Sequence, residues 1–561
     1  MSPDPACRSP LPRPTTSAAP WRLALNTDAL AWAGGVYFAL FCNGPFILSA
    51  MEGRSWTGMS TWAFAASLML LLIVLHALLL ATVAVGRAAK PTLGALVLVA
   101  AGASYYASRY GTYIDPTMVR NVLHTEWAEA RELMGPGFLG YLFLHAVPPL
   151  ALLSRVDVIG RPWRRALFVR LRTLLGAAII LVVVLLLVFQ DLAALMRNQR
   201  ELRYRITPAN ILYSTARALG SEGAAKALPR RAVGEDAQRG PIAAQRKKPL
   251  MFVLVIGETA RAANWGLNGY GRSTTPELAA LQLLNFKTVQ ACGTNTETSL
   301  PCMFSAIGRR DFDERRIRTS ESLLDVLQRA GYALQWIDNQ SGCKGVCAGI
   351  QEVSVRKEKY PDLCDGDHCL DETLVRELRA GTRAAPGDQV VVLHMLGNHG
   401  PAYHKRYPAS HRHFGPACET GELRKCSREE IVNAYDNALS YTDSVLAEIV
   451  RHLGSLSATH DTGLVYISDH GESLGEHGLY LHGVPYSIAP DEQTAVPMVW
   501  WISPGMVESG RLDTGCLALQ AAKPWSHDNL FHTMLGLLDV QTRVYEPKLD
   551  IAAPCRSADA G

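Results

Sequence analysis

The sequence predicts two architectures in one chain. The first is an N-terminal all-α membrane domain with five transmembrane helices, and the second a C-terminal α/β domain with helices on both faces of its sheet. Three observations lead there. Five apolar stretches fall within the first 190 residues, each near the ~20 residues that a spanning helix needs. From residue 250 onward, short apolar runs rich in Val, Ile and Tyr alternate with helical patterns, the signature of an α/β sheet. Three of those runs end in acidic or imidazole residues: Met251–Ile256 before Gly257-Glu258-Thr259, Val390–His394 before Gly397-Asn398-His399, and Gly463–Ser468 before Asp469-His470-Gly471-Glu472. Open α/β sheets bind their ligands at the carboxyl ends of their strands.

Composition bounds the rest. A chain of 561 residues is too long for one core. Hydrophobic residues make up 48% and charged residues 19%, and the apolar excess is concentrated in the first third. A net charge of +4 without a basic stripe excludes nucleic acid as a partner.

Residues 1–24, rich in Pro, Ser and Arg, read as a cytoplasmic tail. The apolar stretches lie near 27–50, 61–85, 91–108, 137–154 and 173–190, giving a membrane domain over 25–190. Arg8, Arg13 and Arg22 precede the first stretch. Arg87 and Lys90 lie between the second and third, and Arg155 to Arg172 between the fourth and fifth. Positively charged loops stay cytoplasmic, so an odd number of spans puts everything after residue 190 outside. Arg197, Arg200, Arg203 and Arg205 run against that rule and read either as a basic helix on anionic headgroups or as a solvated face. Between the third and fourth stretches, Asp115-Pro116 opens a helix predicted to run to Leu133. Its Asn121, Thr125 and Glu129 would share one face just outside the membrane. Residues 191–248 read as a bridging helix and linker, and 249–561 as the catalytic domain. In the latter, strands are predicted at 251–257, 285–290, 332–338, 388–396 and 463–468. Helices are predicted near 276–283, 320–330 and 428–453, the last opened by a Ser427/Glu430 capping box.

Ten of the 12 cysteines lie between Cys292 and Cys555. Cys292 and Cys302, Cys343 and Cys347, Cys364 and Cys369, and Cys418 and Cys426 are close pairs. Cys516 and Cys555 remain to pair with each other. An even count in local pairs points to disulfides in an oxidising compartment, with a zinc knuckle at Cys343/Cys347 as the alternative.

Glu258, Asp469 and His470 form a hard-to-borderline metal ligand set. A hydroxyl from the turn Cys292–Cys302, which carries Thr294, Thr296, Thr298 and Ser299, would complete it, because coordination lowers a hydroxyl's pKa. Composition does not choose among the four.

These motifs together resemble the lipid A phosphoethanolamine transferases, a family of the alkaline-phosphatase superfamily that includes the colistin-resistance transferases. The resemblance rests on Gly257-Glu-Thr-Ala-Arg-Ala262, Asn268-Gly-Tyr270, Cys292-Gly-Thr-Asn-Thr296, Pro301-Cys-Met-Phe-Ser305 and Lys344-Gly345. It rests also on Gly397-Asn-His-Gly-Pro-Ala-Tyr403, Asn433-Ala-Tyr-Asp-Asn437, Ser468-Asp-His-Gly-Glu-Ser-Leu-Gly475 and, in the membrane half, Asn121-Val-Leu-His-Thr125. It implies an alkaline-phosphatase-like domain with a mixed sheet, and Thr296 as nucleophile on zinc held by Glu258, Thr296, Asp469 and His470. His399, His482 and Lys344 would meet the phosphoryl group, Glu472 would join a second zinc if two bind, and Asn121, Thr125 and Glu129 would meet substrate. The implied reaction moves phosphoethanolamine from phosphatidylethanolamine to a lipid A phosphate through a phosphoethanolamine-threonine intermediate. Weaker binding of cationic peptides such as polymyxin would follow. The expected setting is the inner membrane of a Gram-negative bacterium, with a monomeric chain and its catalytic domain in the periplasm. The same transfer to a core heptose or another envelope acceptor is the nearest rival. A phosphatase- or sulfatase-type hydrolase fits less well, since the Cys/Ser-x-Pro-x-Arg motif of sulfatases is absent.

Overall fold

The computed structural model describes residues 22–226, 229–365, 368–381 and 387–557. The N-terminal tail expected before residue 22 lies outside the described residues.

The catalytic domain is built on an eight-stranded sheet. In chain order its strands are β1 (Leu250–Gly257), β2 (Leu284–Gln290), β3 (Ala333–Asp338), β4 (Gln351–Ser354), β5 (Gln389–His394), β6 (Asp461–Ser468), β7 (Ala495–Ile502) and β8 (Pro524–Ser526). The spatial order is β8-β2-β7-β6-β1-β5-β3-β4. Strands β6, β1, β5, β3 and β4 run parallel, and β7 alone is reversed, pairing antiparallel with both β6 and β2. The sheet is therefore mixed. All eight residues of β1 are buried, as a strand covered on both faces requires. Phe252, Leu254 and Ile256 pack with Phe286 and Trp336 on one face. Met251, Val253 and Val255 pack on the other, against Tyr435, Leu439 and Leu446 of the helix Arg428–Leu456. That helix opens with the expected capping box: Ser427 Oγ accepts from the Glu430 N–H, and the Ser427 N–H donates to the Glu430 carboxylate at 2.7 Å. Register brings Gly257 level with Ser468, so Glu258 and Asp469 leave neighbouring strands at the same rim.

The membrane half contains the helices Thr27–Cys42, Gly44–Ala50, Met59–Val83, Ala89–Tyr110, Pro136–Ser154 and Trp163–Leu187. Three of these, Met59–Val83, Pro136–Ser154 and Trp163–Leu187, are long and apolar enough to cross a membrane. Thr27–Cys42 and Gly44–Ala50, bent by 62°, would make a fourth span together. Ala89–Tyr110, where a further span is expected, is a 22-residue helix diluted by Lys90, Arg109 and several small or hydroxyl residues. The first and second expected spans pack closely at Gly35, where an added Cβ would come within 2.7 Å of the Ile73 carbonyl; such small residues let spanning helices approach. The last helix begins at Trp163, ten residues before the expected apolar start. Arg is a good helix former whose stem lies along apolar surface while its head reaches water, so the Arg-rich segment simply extends the helix.

Two expectations require correction. The segment 115–133 is two helices, Pro116–His124 and Trp127–Leu133. Asp115 caps the first as expected, accepting from the Met118 N–H at 2.7 Å. Thr125 then turns extended (ψ 129°), its hydroxyl bonding back to the Asn121 carbonyl at 2.7 Å. Such local bonding by Thr competes with helix continuation, so Asn121, Thr125 and Glu129 do not share one helix face. The linker expected up to residue 248 is likewise not free along its length. Arg231 bridges to Ser320, and Gln238–Arg239 pairs with Val540–Gln541, which lays this stretch on the catalytic domain. Of the basic residues after Leu187, Arg205 is turned inward, bonding Ser49 and the Gly111 carbonyl and lying 4.1 Å from the Tyr113 ring.

Five disulfides join all ten cysteines of the catalytic domain: Cys292–Cys302, Cys343–Cys347, Cys364–Cys369, Cys418–Cys426 and Cys516–Cys555.

Candidate active site

The central side chains of the site, Glu258, Thr296, Asp469 and His470, are delivered from the carboxyl ends of strands. Glu258 follows β1 and is fully buried. Gly397 lies against it in the left-handed region (φ +52°), and a Cβ there would meet the Glu258 carbonyl at 2.7 Å. Asp469 and His470 follow β6, with the Asp469 N–H donating to the Gly257 carbonyl at 2.9 Å. The turn after β2 brings in Thr296 as the first residue of the helix Thr296–Met303. Asn295 caps this helix, accepting from the Thr298 N–H at 2.9 Å, and the Cys292–Cys302 disulfide ties its two ends.

Among the hydroxyls of that turn, Thr296 alone faces the acidic cluster. Its Oγ1 donates to Glu258 Oε2 at 2.9 Å and lies 3.3 Å from His470 Nε2. Thr294 and Ser299 are spent on the backbone carbonyls of Val484 and Asp469. His470 Nδ1 donates to the Gly471 carbonyl at 2.9 Å, which turns Nε2 toward Glu258 Oε1 at 3.4 Å and Asp469 Oδ2 at 3.3 Å. Those two carboxylate oxygens are buried and make no hydrogen bond.

The electrostatics show what the cluster lacks. Burial disfavours charge on His470, yet Asp469 and Glu258 overcome it and push the imidazole up to about 10. Burial and the neighbouring Glu258 push Asp469 up to about 6. Two carboxylates sharing a dry site need a countercharge to ionise together, which the protonated His470 supplies here and a bound cation would supply in its place. Two orphaned oxygens and one directed imidazole nitrogen fit a divalent cation: Glu258, Asp469 and His470 could hold a metal ion.

A second tier surrounds this cluster. His399 Nε2 lies 3.1 Å from Glu129 Oε1. Burial opposes its protonation, but the Glu129 carboxylate prevails and raises it to about 9. His482 Nδ1 lies 2.8 Å from Glu472 Oε2, and its ring centroid is 4.4 Å from that of His470. The other Glu472 oxygen accepts from Tyr403 at 2.6 Å. Both Glu472 oxygens are thus engaged, and among the described residues no second three-ligand group forms around Glu472. Lys344, in the left-handed region (φ 49°), bonds Ser341 through Nζ at 2.7 and 2.8 Å. Glu129 reaches the site, whereas Asn121 and Thr125 stay with one another beside it.

Three residues at the site went unmarked in the sequence. Gln340 Nε2 donates to Glu258 Oε2 at 3.2 Å. Tyr403 orients Glu472. His527 accepts from the Cys292 N–H at 3.0 Å through Nδ1 and donates to the Ser468 carbonyl at 3.0 Å through Nε2. Burial lowers its pKa to about 3, so it is a neutral brace between the Thr296 turn and the end of β6. Gln340 stands two residues beyond the end of β3; His527 gave no local signal.

Comparison with known proteins now decides the family. The chain is 39% identical over 469 residues to phosphoethanolamine transferase EptA of Escherichia coli K12, covering 83% of this chain and 86% of that one. This chain belongs to the phosphoethanolamine transferases. Residues 72–222 match the phosphoethanolamine transferase EptA/EptB family, and residues 251–540 match the sulfatase family. The transferase is also 35% identical to phosphatidylethanolamine transferase Mcr-1 of Escherichia coli, over 80% of its own length and 84% of that chain. Its structure superposes on the integral membrane lipooligosaccharide phosphoethanolamine transferase A of Neisseria meningitidis with a TM-score of 0.91. That match is at 34% identity and covers 96% of this chain and 100% of that one. The transferase therefore joins a membrane domain to an alkaline-phosphatase-like catalytic domain.

Proposed function

We propose that the transferase moves phosphoethanolamine from phosphatidylethanolamine to a phosphate group of lipid A, with Thr296 as the covalent carrier. The observation that carries this reading is the contact of Thr296 Oγ1 with Glu258 and His470, 2.9 and 3.3 Å away, in a buried cluster with two unsatisfied carboxylate oxygens. Zinc, held by Glu258, Asp469 and His470 and completed by Thr296, would lower the pKa of the threonine hydroxyl and offset phosphoryl charge.

Thr296 Oγ1 passes its proton to Glu258 Oε2, which accepts from it at 2.9 Å, and attacks the donor phosphorus; a P–O bond to diacylglycerol breaks, the phosphoethanolamine group stays on the threonine, and the proton returns when Thr296 leaves. His399, kept protonated by Glu129, gives the leaving alkoxide its proton. Lys344 and His482 stabilise charge on the phosphoryl oxygens. A lipid A phosphate oxygen then attacks the same phosphorus and Thr296 leaves as the hydroxyl, a ping-pong scheme. Both substrates are lipids, which explains why Glu129, from the membrane half, completes the catalytic rim. We assign five spans, counting Ala89–Tyr110, in the inner membrane of a Gram-negative cell. The Lys/Arg-rich turns then face the cytoplasm and the disulfide-bonded domain the periplasm. The added amine makes the surface less anionic and lowers polymyxin binding. Intact mass measurement of the purified protein after incubation with phosphatidylethanolamine alone tests the chemistry. A phosphoethanolamine adduct on the peptide holding Thr296, with release of diacylglycerol, is expected. An adduct elsewhere, or free phosphoethanolamine without any adduct at early times, would overturn it.

A further inference from the structure

A cavity of about 660 Å³ lies in the membrane half, lined by none of the residues of the catalytic rim. It lies where the start of the helix Thr27–Cys42, the turn Val83–Ala89 and the turn Ser154–Trp163 meet. Contacts with the catalytic domain come from the opposite helix ends: Gly111 meets Leu479, and the Gly137 N–H bonds Glu422 at 3.2 Å. The cavity therefore opens on the membrane face away from the site.

Four cations line it, Arg87, Lys90, Arg161 and Arg170, against one carboxylate, Asp28. Asp28 is used twice: Arg161 lies 3.1 Å and Arg170 2.7 Å from it. Arg170 also bonds Thr27 Oγ1 at 2.6 Å and the Ala81 carbonyl. These two arginines are locked in place. Among the described residues Lys90 donates only to the carbonyls of Val156 and Ser154, at 2.7 and 3.3 Å, and Arg87 meets no carboxylate. Two cations thus remain without a countercharge from the described residues. Leu167, which lines the cavity, and Phe168 and Leu171 next to it in sequence are exposed along the helix Trp163–Leu187.

We infer that this cavity binds the phosphodiester headgroup of an anionic phospholipid of the cytoplasmic leaflet. The un-neutralised cations and the roomy cavity suit the head, and the apolar helix surface suits the acyl chains. The leaflet assignment rests on the proposed orientation; the lipid chemistry does not. Asp28 sets its selectivity, because it fixes two guanidinium groups without cancelling the other two cations.

Native mass spectrometry of the full-length protein in detergent tests this, with phosphatidylglycerol and phosphatidylcholine titrated separately. The wild type should retain one phosphatidylglycerol in preference to phosphatidylcholine. Arg87→Gln, at an exposed turn position, should weaken phosphatidylglycerol retention about five-fold, with phosphatidylcholine and transfer activity unchanged. Lys90→Gln should act in the same direction. Equal retention of the two lipids, or unchanged retention by both variants, would overturn the site. Displacement of the lipid by millimolar inorganic phosphate would mark a free-anion site instead and overturn the lipid assignment. The readout is bound lipid mass, so a failure of the proposed transfer chemistry would leave it untouched.

Discussion

At the scale of single residues, the site is a problem in charge. Glu258 and Asp469 are buried side by side, each with an oxygen that no protein donor satisfies. Chelation of the purified protein should abolish transfer, and added zinc should restore it; activity that survives complete metal removal would contradict the ligand assignment. His399 supplies a second residue-scale prediction. Its pKa is raised to about 9, Glu129 prevailing over burial. The protonated form donates, so the basic limb of kcat/KM against pH should fall near pH 9. Glu129→Gln removes the carboxylate that holds the proton. The limb should then move to lower pH, with loss of rate at pH 8 and recovery as pH falls; an unmoved limb would exclude His399 as the acid. His527 makes a third. His527→Ala leaves the Cys292 N–H and Ser468 carbonyl buried without partners, at about 1–3 kcal/mol each. Thermal unfolding should show a lower Tm, and kcat should fall more than KM rises.

At the scale of elements, the fold was legible where local pattern and burial agree. β1 is apolar along its length, and β5 and β6 have continuous apolar centres, Val390–Leu393 and Leu464–Ile467, because both faces are covered; their ends lie within two residues of those the pattern predicts. The reversed strand β7 was not read. Pro497 interrupts its apolar run at a shift of register between Val496 and Met498, and proline in a strand interior argues against a strand. The break at Thr125 was missed for another reason: the periodicity of Asn121 and Glu129 suits a continuous helix, and only the bond from Thr125 to the Asn121 carbonyl shows the chain leaving it. The candidate metal ligands Glu258, Asp469 and His470 were legible because they stand at the ends of strands. The choice of Thr296 as the proposed nucleophile was not, since four hydroxyls share its turn and only the distance to Glu258 separates them. That turn is held by Cys292–Cys302. Replacing both cysteines with serine should cost about 2–3 kcal/mol, measured by denaturant unfolding. Transfer should also be lower in the folded variant.

At the scale of the whole molecule, the membrane half is packed against the candidate site as well as anchoring it. His124 lies 3.1 Å from Glu297, next to Thr296, and the buried Arg120 pairs with Glu314. Glu132 reaches Arg406, whose Nε donates to the His399 carbonyl at 2.7 Å. Contacts of this kind join residues far apart in sequence and leave no local pattern, which is why the sequence did not point to them. The account stands or falls on what the assembled molecule does to its lipid. The most direct measurement is mass spectrometry of lipid A from cells carrying this chain or its Thr296→Ala variant. A phosphoethanolamine adduct with the wild type that falls by at least about 10³-fold with the variant is the predicted result. Unmodified lipid A despite folded, metal-loaded protein, or an adduct that persists without Thr296, would contradict it.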